Sequence, residues 1–185
     1  VEKAKTEVKP LERRSATGTI TQKMGMRPWN NYMKTIREKI IGRIMDQLET
    51  ITVSNGYNND IGSGNIYRQE SIIEKGLIPA MSVWELSESR ERNNYGGTVR
   101  ILTIKIEAIV PINGNKHPAS VSNELLGDIE KALIIGDVTL DELIDDIQDI
   151  AAEIIQLPII DRRAAGASTD FEMTYTTEWG DPYTQ

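Results

Sequence analysis

The 185-residue chain carries 28 acids against 21 bases, for a net charge of −7, and is 39% hydrophobic and 26% charged. That length suits one domain with at most an extension, and no apolar run approaches the roughly 18 residues of a membrane-spanning helix. Cysteine is absent and His117 is the one histidine, so disulfides, thiolate metal sites, cysteine nucleophiles and a paired-histidine metal site are excluded within this chain.

The charge is unevenly spread. Residues 1–27 hold seven bases against three acids, or +4, which leaves 14 bases and 25 acids, or −11, for residues 28–185. The apolar residues of this leading segment follow no period, so residues 1–27 read as a basic extended N-terminal arm and residues 28–185 as a single domain. The arm is polar and charged, so no signal peptide is expected. An acidic body gives nucleic acid little to hold, because each phosphate contact needs a cation.

After Pro28 the pattern becomes helical. Met33, Ile36, Ile40, Ile44, Leu48 and Ile51 recur every three or four residues, predicting a helix over residues 31–50 with Asn30 or Asn31 as its cap. Lys34, Arg37, Glu38, Arg43, Asp46 and Glu49 fall mostly off that stripe and read as solvated. Residues 54–64 are dense in asparagine and glycine and predict a turn. They lack the lysine and hydroxyl that a phosphate-cradling loop needs. Short strands are expected over residues 66–70 and 80–86.

The clearest strand covers residues 98–112, where Leu102, Ile104, Ile106, Ala108 and Val110 line one face and Thr103, Lys105 and Glu107 the other. It pairs naturally with residues 80–86 in a long antiparallel hairpin, whose charged connection, residues 87–97, places Arg90, Glu91 and Arg92 on an exposed tip available to a partner. Asn113, Gly114, Asn115 and Pro118 end the strand. Ser122 then reads as the cap of a second helix burying Leu125, Leu126, Ile129, Ala132 and Leu133. Thr139 and Glu142 form a capping box, and Leu140, Leu143, Ile144, Ile147, Ile150, Ala151 and Ile154 predict a third helix ending before Pro158. A last strand is expected over residues 170–177, with Phe171, Met173, Tyr175 and Thr177 on one face.

Little here points to catalysis. Asp141, Glu142, Asp145, Asp146 and Asp149 share faces of the expected third helix, an arrangement more typical of a solvated helix than of a cation site, since hard cations prefer loops that add carbonyl oxygens. His117 lies in a turn-rich loop and reads as an exposed imidazole rather than a general base. No catalytic, cofactor or metal residue is assigned, and an interaction protein remains. The core is aliphatic, with 26 isoleucines and one phenylalanine, while Trp29, Trp84 and Trp179 fall near element ends, where a ring can meet a partner.

The order of these pieces resembles a known family. An amphipathic helix, an Asn/Gly-rich turn, Tyr67-Arg68, a Pro79-led strand with Trp84-Glu85, and the strand Arg100-Ile101-Leu102-Thr103-Ile104 are similar to the tail terminator and tail-completion proteins of long-tailed bacteriophages. The helix Leu125-Leu126-Gly127-Asp128-Ile129-Glu130-Lys131-Ala132-Leu133 and the closing Glu172-Met173-Thr174-Tyr175 with Asp181-Pro182 agree with it. The resemblance spans about residues 32–183, rests on common core and turn residues in a particular order, and leaves out the arm.

It implies an α+β fold, an antiparallel sheet of about four strands with helices packed on one face, in addition to the arm. It also implies a structural virion protein: a homo-oligomeric ring, a hexamer, that caps the head-proximal end of the tail tube, contacts the tail tube protein and a neck or connector protein, and lets DNA pass through its lumen without specific binding. Neither a cofactor nor a membrane is implied, and the expected location is the neck end of the virion tail, after assembly in the host cytoplasm. Arg13, Arg14, Lys23 and Arg27 of the arm, with Arg90, Glu91 and Arg92 of the tip, are the expected subunit or tube contacts. The alternatives are a neck, head-closure or other minor tail protein, an accessory lysis or packaging enzyme, and a nucleic-acid-binding module using the arm.

Overall fold

A computed structural model describes residues 33–62, 64–155, 157 and 164–185 of the chain. The elements in order are α1 (Ile36–Leu48), β1 (Ile66–Arg68), α2 (Ile72–Lys75), β2 (Ala80–Arg92), β3 (Gly97–Pro111), α3 (Pro118–Glu130), β4 (Asp146–Ile155) and β5 (Ala164–Glu178). The arm, with Arg13, Arg14, Lys23 and Arg27, lies outside the described residues, as do Trp29 and the caps expected at Asn30 and Asn31. Met33–Gln185 cluster as one unit.

The five strands form one mixed sheet in the order β1-β2-β3-β5-β4. β1 runs parallel to β2, and every other neighbour is antiparallel. The fold is α+β, with a fifth strand and a parallel pair added to the antiparallel sheet expected. The strict alternation of β3 sets the layers: Leu102, Ile104, Ile106, Ala108 and Val110 are buried, and they meet Phe171, Met173 and Tyr175 of β5 beneath α1 and α3. From α1 come Ile36, Ile40, Ile41, Ile44 and Leu48, and from α3 Val121, Leu125 and Ile129.

Helix starts differ from expectation. Thr35 caps α1 by accepting from the Glu38 amide at 3.2 Å, and Met33 is exposed instead of joining the stripe. His117 caps α3: Pro118 is the first helical residue and the His117 ring Nδ1 accepts from the Ala119 amide at 3.2 Å. Ser122, expected as the cap, is buried one turn further in and donates to the Gly166 carbonyl at 2.9 Å, fixing α3 on β5. After Glu130 the helix widens into a π-helical turn over Lys131–Gly136 that carries Ala132 and Leu133 into the core.

The expected third helix is absent. Thr139 does accept from the Glu142 amide, as a capping box requires, but Leu140, Asp141 and Glu142 have φ of 51°, 61° and 62°. The chain therefore turns left-handed, held by Asp137, which accepts from the Thr139 and Asp141 amides at 3.1 and 2.6 Å. The chain then becomes strand β4 at the sheet's edge. The acids expected on one helical face are dispersed accordingly, Asp141 and Glu142 to the turn, Asp146 and Asp149 to opposite faces of β4. Among the described residues no three acids or histidine converge as a metal site would require.

Helices do not all lie on one face. α2 is a single turn that packs Ile72 with Ala80 and Ile109 on the other side of the sheet, covering only its base. Among the described residues no helix covers the rest of that second face. The Asn/Gly-rich segment is a turn as expected, tied to α3 by Asp128, whose buried carboxylate accepts from the backbone and side-chain nitrogens of Asn58 and Asn59 at 2.8–3.1 Å.

Candidate functional site: the charged hairpin end

β2 and β3 run far beyond the helix-covered core. Residues 87–92, expected as loop, continue β2, and only residues 93–96 turn before β3 begins. The strand survives so many charges because those on the helix side have partners. Glu85 and Glu88 lie opposite Ile104 and Leu102, which places both carboxylates on the face that is core further down. Glu88 has a side chain only 3% exposed. An unpaired carboxylate there would cost several kcal/mol.

Arginines from four elements supply the pairing. Arg37 of α1 reaches Glu85 at 3.0 Å and Glu88 at 3.6 Å, and Arg68 of β1 bridges Glu85 at 2.6 Å and Glu38 at 2.9 Å. Arg100 of β3 donates to Glu88 at 3.0 Å and to the Thr177 hydroxyl at 3.1 Å. Arg90 donates to Glu88 at 2.6 Å, as does the Tyr175 hydroxyl. A cavity of about 90 Å³ lies among Thr35, Arg37, Glu88, Arg90, Arg100 and Tyr175.

The electrostatics follow from these contacts. Burial pushes Glu88 up, but hydrogen bonds from Tyr175, Arg90 and Arg100 outweigh it and hold the carboxyl below its ordinary range. Burial, then the hydrogen bond to Glu88, raises the Tyr175 phenol above its usual value, keeping it a neutral donor. The Arg68 hydrogen bond lowers Glu38, and the reciprocal bond raises Arg68. The four arginines outnumber Glu38, Glu85 and Glu88, so a positive charge is left over at one corner of an acidic molecule.

The three tip residues are brought to two faces. Arg90 and Arg92 lie on the helix side, opposite Arg100 and Thr98, and Glu91 lies on the open side, opposite Val99. Arg92 stacks over the Trp179 ring at 4.1 Å. Trp179 remains 62% exposed, and Tyr95 in the turn is almost fully so. Trp84 lies mid-strand, with its indole N–H donating to Glu107 at 3.0 Å. His117, being a helix cap, has a structural role.

The open face of the sheet is the second feature. It carries Glu107, Asp146, Glu153, Asp170 and Glu172 against Lys105, which pairs with Glu153 at 3.3 Å. Sequence reasoning found the acidic balance but not this concentration, which needs the register of three strands. It missed the arginine–glutamate cluster altogether, for Arg37 and Glu38 read as solvated helix charges. No protein-family model matches the chain, and no curated protein matches it. Among the described residues no helix is long and apolar enough to cross a membrane.

Proposed function

We propose that this chain is a structural virion protein, a tail terminator that assembles as a ring of six copies on the head-proximal end of a phage tail tube and joins it to the neck. The observation that carries this reading is the open sheet face, a broad strand surface on which at least five carboxylates face one lysine and which, among the described residues, no helix covers beyond its base. Such a face suits the wall of a passage for DNA: it repels phosphate, keeps its lysine, Lys105, paired with Glu153, and leaves the duplex free to slide. The element order that resembles tail terminators supports the same reading, as does an end of the sheet built from paired charges and exposed aromatics, which suits contact with another protein.

The same acidic face weighs against a nucleic-acid-binding module, which would need the arm alone to supply its cations. The reading is tested by imaging phage particles in which this protein carries a small fused label. Density from one ring at the junction of tube and neck is the expected result. Label along the tube, on the capsid side of the neck, or absent from the particle would overturn it, the second of these favouring a head-closure protein. A gel shift at low salt that survives removal of residues 1–27 would overturn the account of the open face.

A further inference from the structure

The sheet ends in two open edges among the described residues. Among the described residues no strand pairs with the outer side of β4 (Asp146–Ile155), and none pairs with β2 beyond Val83, where β1 stops. β4 has neither lysine nor proline, the usual guards of an edge, and leaves Ile150 and Ile154 44% and 47% exposed. We propose that the outer edge of β4 docks antiparallel on the free β2 edge, residues 86–92, of a second copy of this chain, with Asp149 facing Arg90. The inference rests on the ring reading above and names the surfaces that close it.

Strand polarity selects this pairing. β2, β3, β5 and β4 alternate in direction, so β4 runs opposite to β2. Copies set side by side in one orientation place β4 of one against β2 of the next as an antiparallel pair, the head-to-tail contact from which a ring closes. Charge selects the same partner. The β4 edge presents Asp146, Asp149 and Glu153, and two β4 edges together would bring only carboxylates to the seam. The β2 edge presents Arg90 and Arg92 on the helix side, Arg90 being the member that leaves its cluster one positive charge in excess, with Glu91 between them on the other face.

Facing also matches. Asp149 lies opposite Phe171 and Arg90 opposite Arg100, so both side chains point to the helix side of the sheet. The bulge between Asp149 and Ala151 blunts the edge against arbitrary strands, while the carboxylates favour one that brings arginine.

The absence of cysteine makes the test clean. Within one chain positions 90 and 149 are three strand spacings apart and offset by four residues along β3, about 19 Å, far beyond the roughly 7 Å limit of a disulfide. The full-length R90C/D149C protein, oxidised at high concentration, is expected to give a ladder of linked multimers on a non-reducing gel, and each single-cysteine variant dimers at most. A complementary measurement is sedimentation of D149R and R90D. Each should weaken self-association about tenfold or more, and the double variant should recover it, with unchanged circular dichroism showing that all three fold.

No ladder from the double-cysteine protein, dimers from D149C alone as strong as those from the pair, or no recovery in the charge-swapped variant would overturn the proposal. A labelled ring at the neck without the R90C–D149C link leaves the terminator reading standing and removes the edge contact. The link without a ring at the neck does the reverse.

Discussion

Replacing Glu88 with glutamine tests whether the hairpin end is held by buried charge. The substitution keeps the shape and one acceptor oxygen but removes the negative charge on which Arg37, Arg90, Arg100 and Tyr175 converge. The four partners do not count equally. Arg90 is 59% exposed and Arg37 a third exposed, and exposed pairs contribute about 0–1 kcal/mol each. Arg100, whose side chain is 11% exposed, and buried Tyr175 cannot turn to water instead. Arg100 keeps only the Thr177 hydroxyl and faces an amide in place of a carboxylate. Breaking a buried pair by removing one partner costs about 3–5 kcal/mol, and the oxygen retained by glutamine places this case near 3.

In urea melts E88Q is expected to lose that amount at unchanged m, while R90A loses under about 1 kcal/mol. Acid provides a second readout. Because the folded pKa of Glu88 lies below its unfolded value, its contribution is fully present above the unfolded pKa and is lost as pH falls through the folded one. The gap between wild type and E88Q should therefore shrink as pH falls through that window. Equal losses for E88Q and R90A, or a gap independent of pH, would refute the reasoning and make the cluster a surface network.

Other outcomes follow from single positions. Ile104→Asp should cost about 4 kcal/mol or more in urea melts by placing a charge among fully buried neighbours, whereas Lys105→Asp, one residue on and facing the open side, should cost under about 1. Asp128→Ala strips the Asn58 and Asn59 nitrogens of their acceptor, so about 2–4 kcal/mol should be lost, and amide exchange should rise at residues 58 and 59 before it rises in β3. Glu142→Gly should raise stability by about 0.5–1 kcal/mol in the same melts, because a left-handed residue without a Cβ is relieved of its steric penalty.

The sequence was most legible where one residue faced one environment. β3 alternates cleanly because its even side chains meet the helices and its odd ones meet solvent along almost the whole strand. β4 was misread for an opposite reason. Its bulge between Asp149 and Ala151 shifts the alternation, so Ile147 and Ile154, seven residues apart, lie on the same side of the sheet. An odd spacing of that kind breaks a period of two and mimics a helical stripe. The left-handed turn before it is equally silent, since nothing about Leu140, Asp141 and Glu142 marks positive φ, and the Asp137 carboxylate that fixes it could have been read as a helix cap. The Glu88 cluster was beyond reach because Arg37, Glu88, Arg100 and Tyr175 are scattered over α1, β2, β3 and β5, and pairing requires the register. The charges of residues 87–92 suggested loop for the same reason: their neutralising partners are not neighbours in the chain.

The strand order also fixes when the molecule can complete itself. β5 sits between β3 and β4, yet it is the last strand to be synthesised, and it meets β3 in pairs as far apart as Gly97 and Glu178. The β2–β3 hairpin closes through a short turn and forms early, but β3 then waits with its second edge bare through the synthesis of α3 and β4. At about 5–20 residues per second the ribosome takes several seconds to cover that stretch. During this interval the apolar underside of β3 lacks the β5 side chains Phe171, Met173 and Tyr175 that pack with it, and the final seat of β4 does not exist. The fold is consequently complete only once β5 has been made, and the translation of the closing strand acts as a timer on folding.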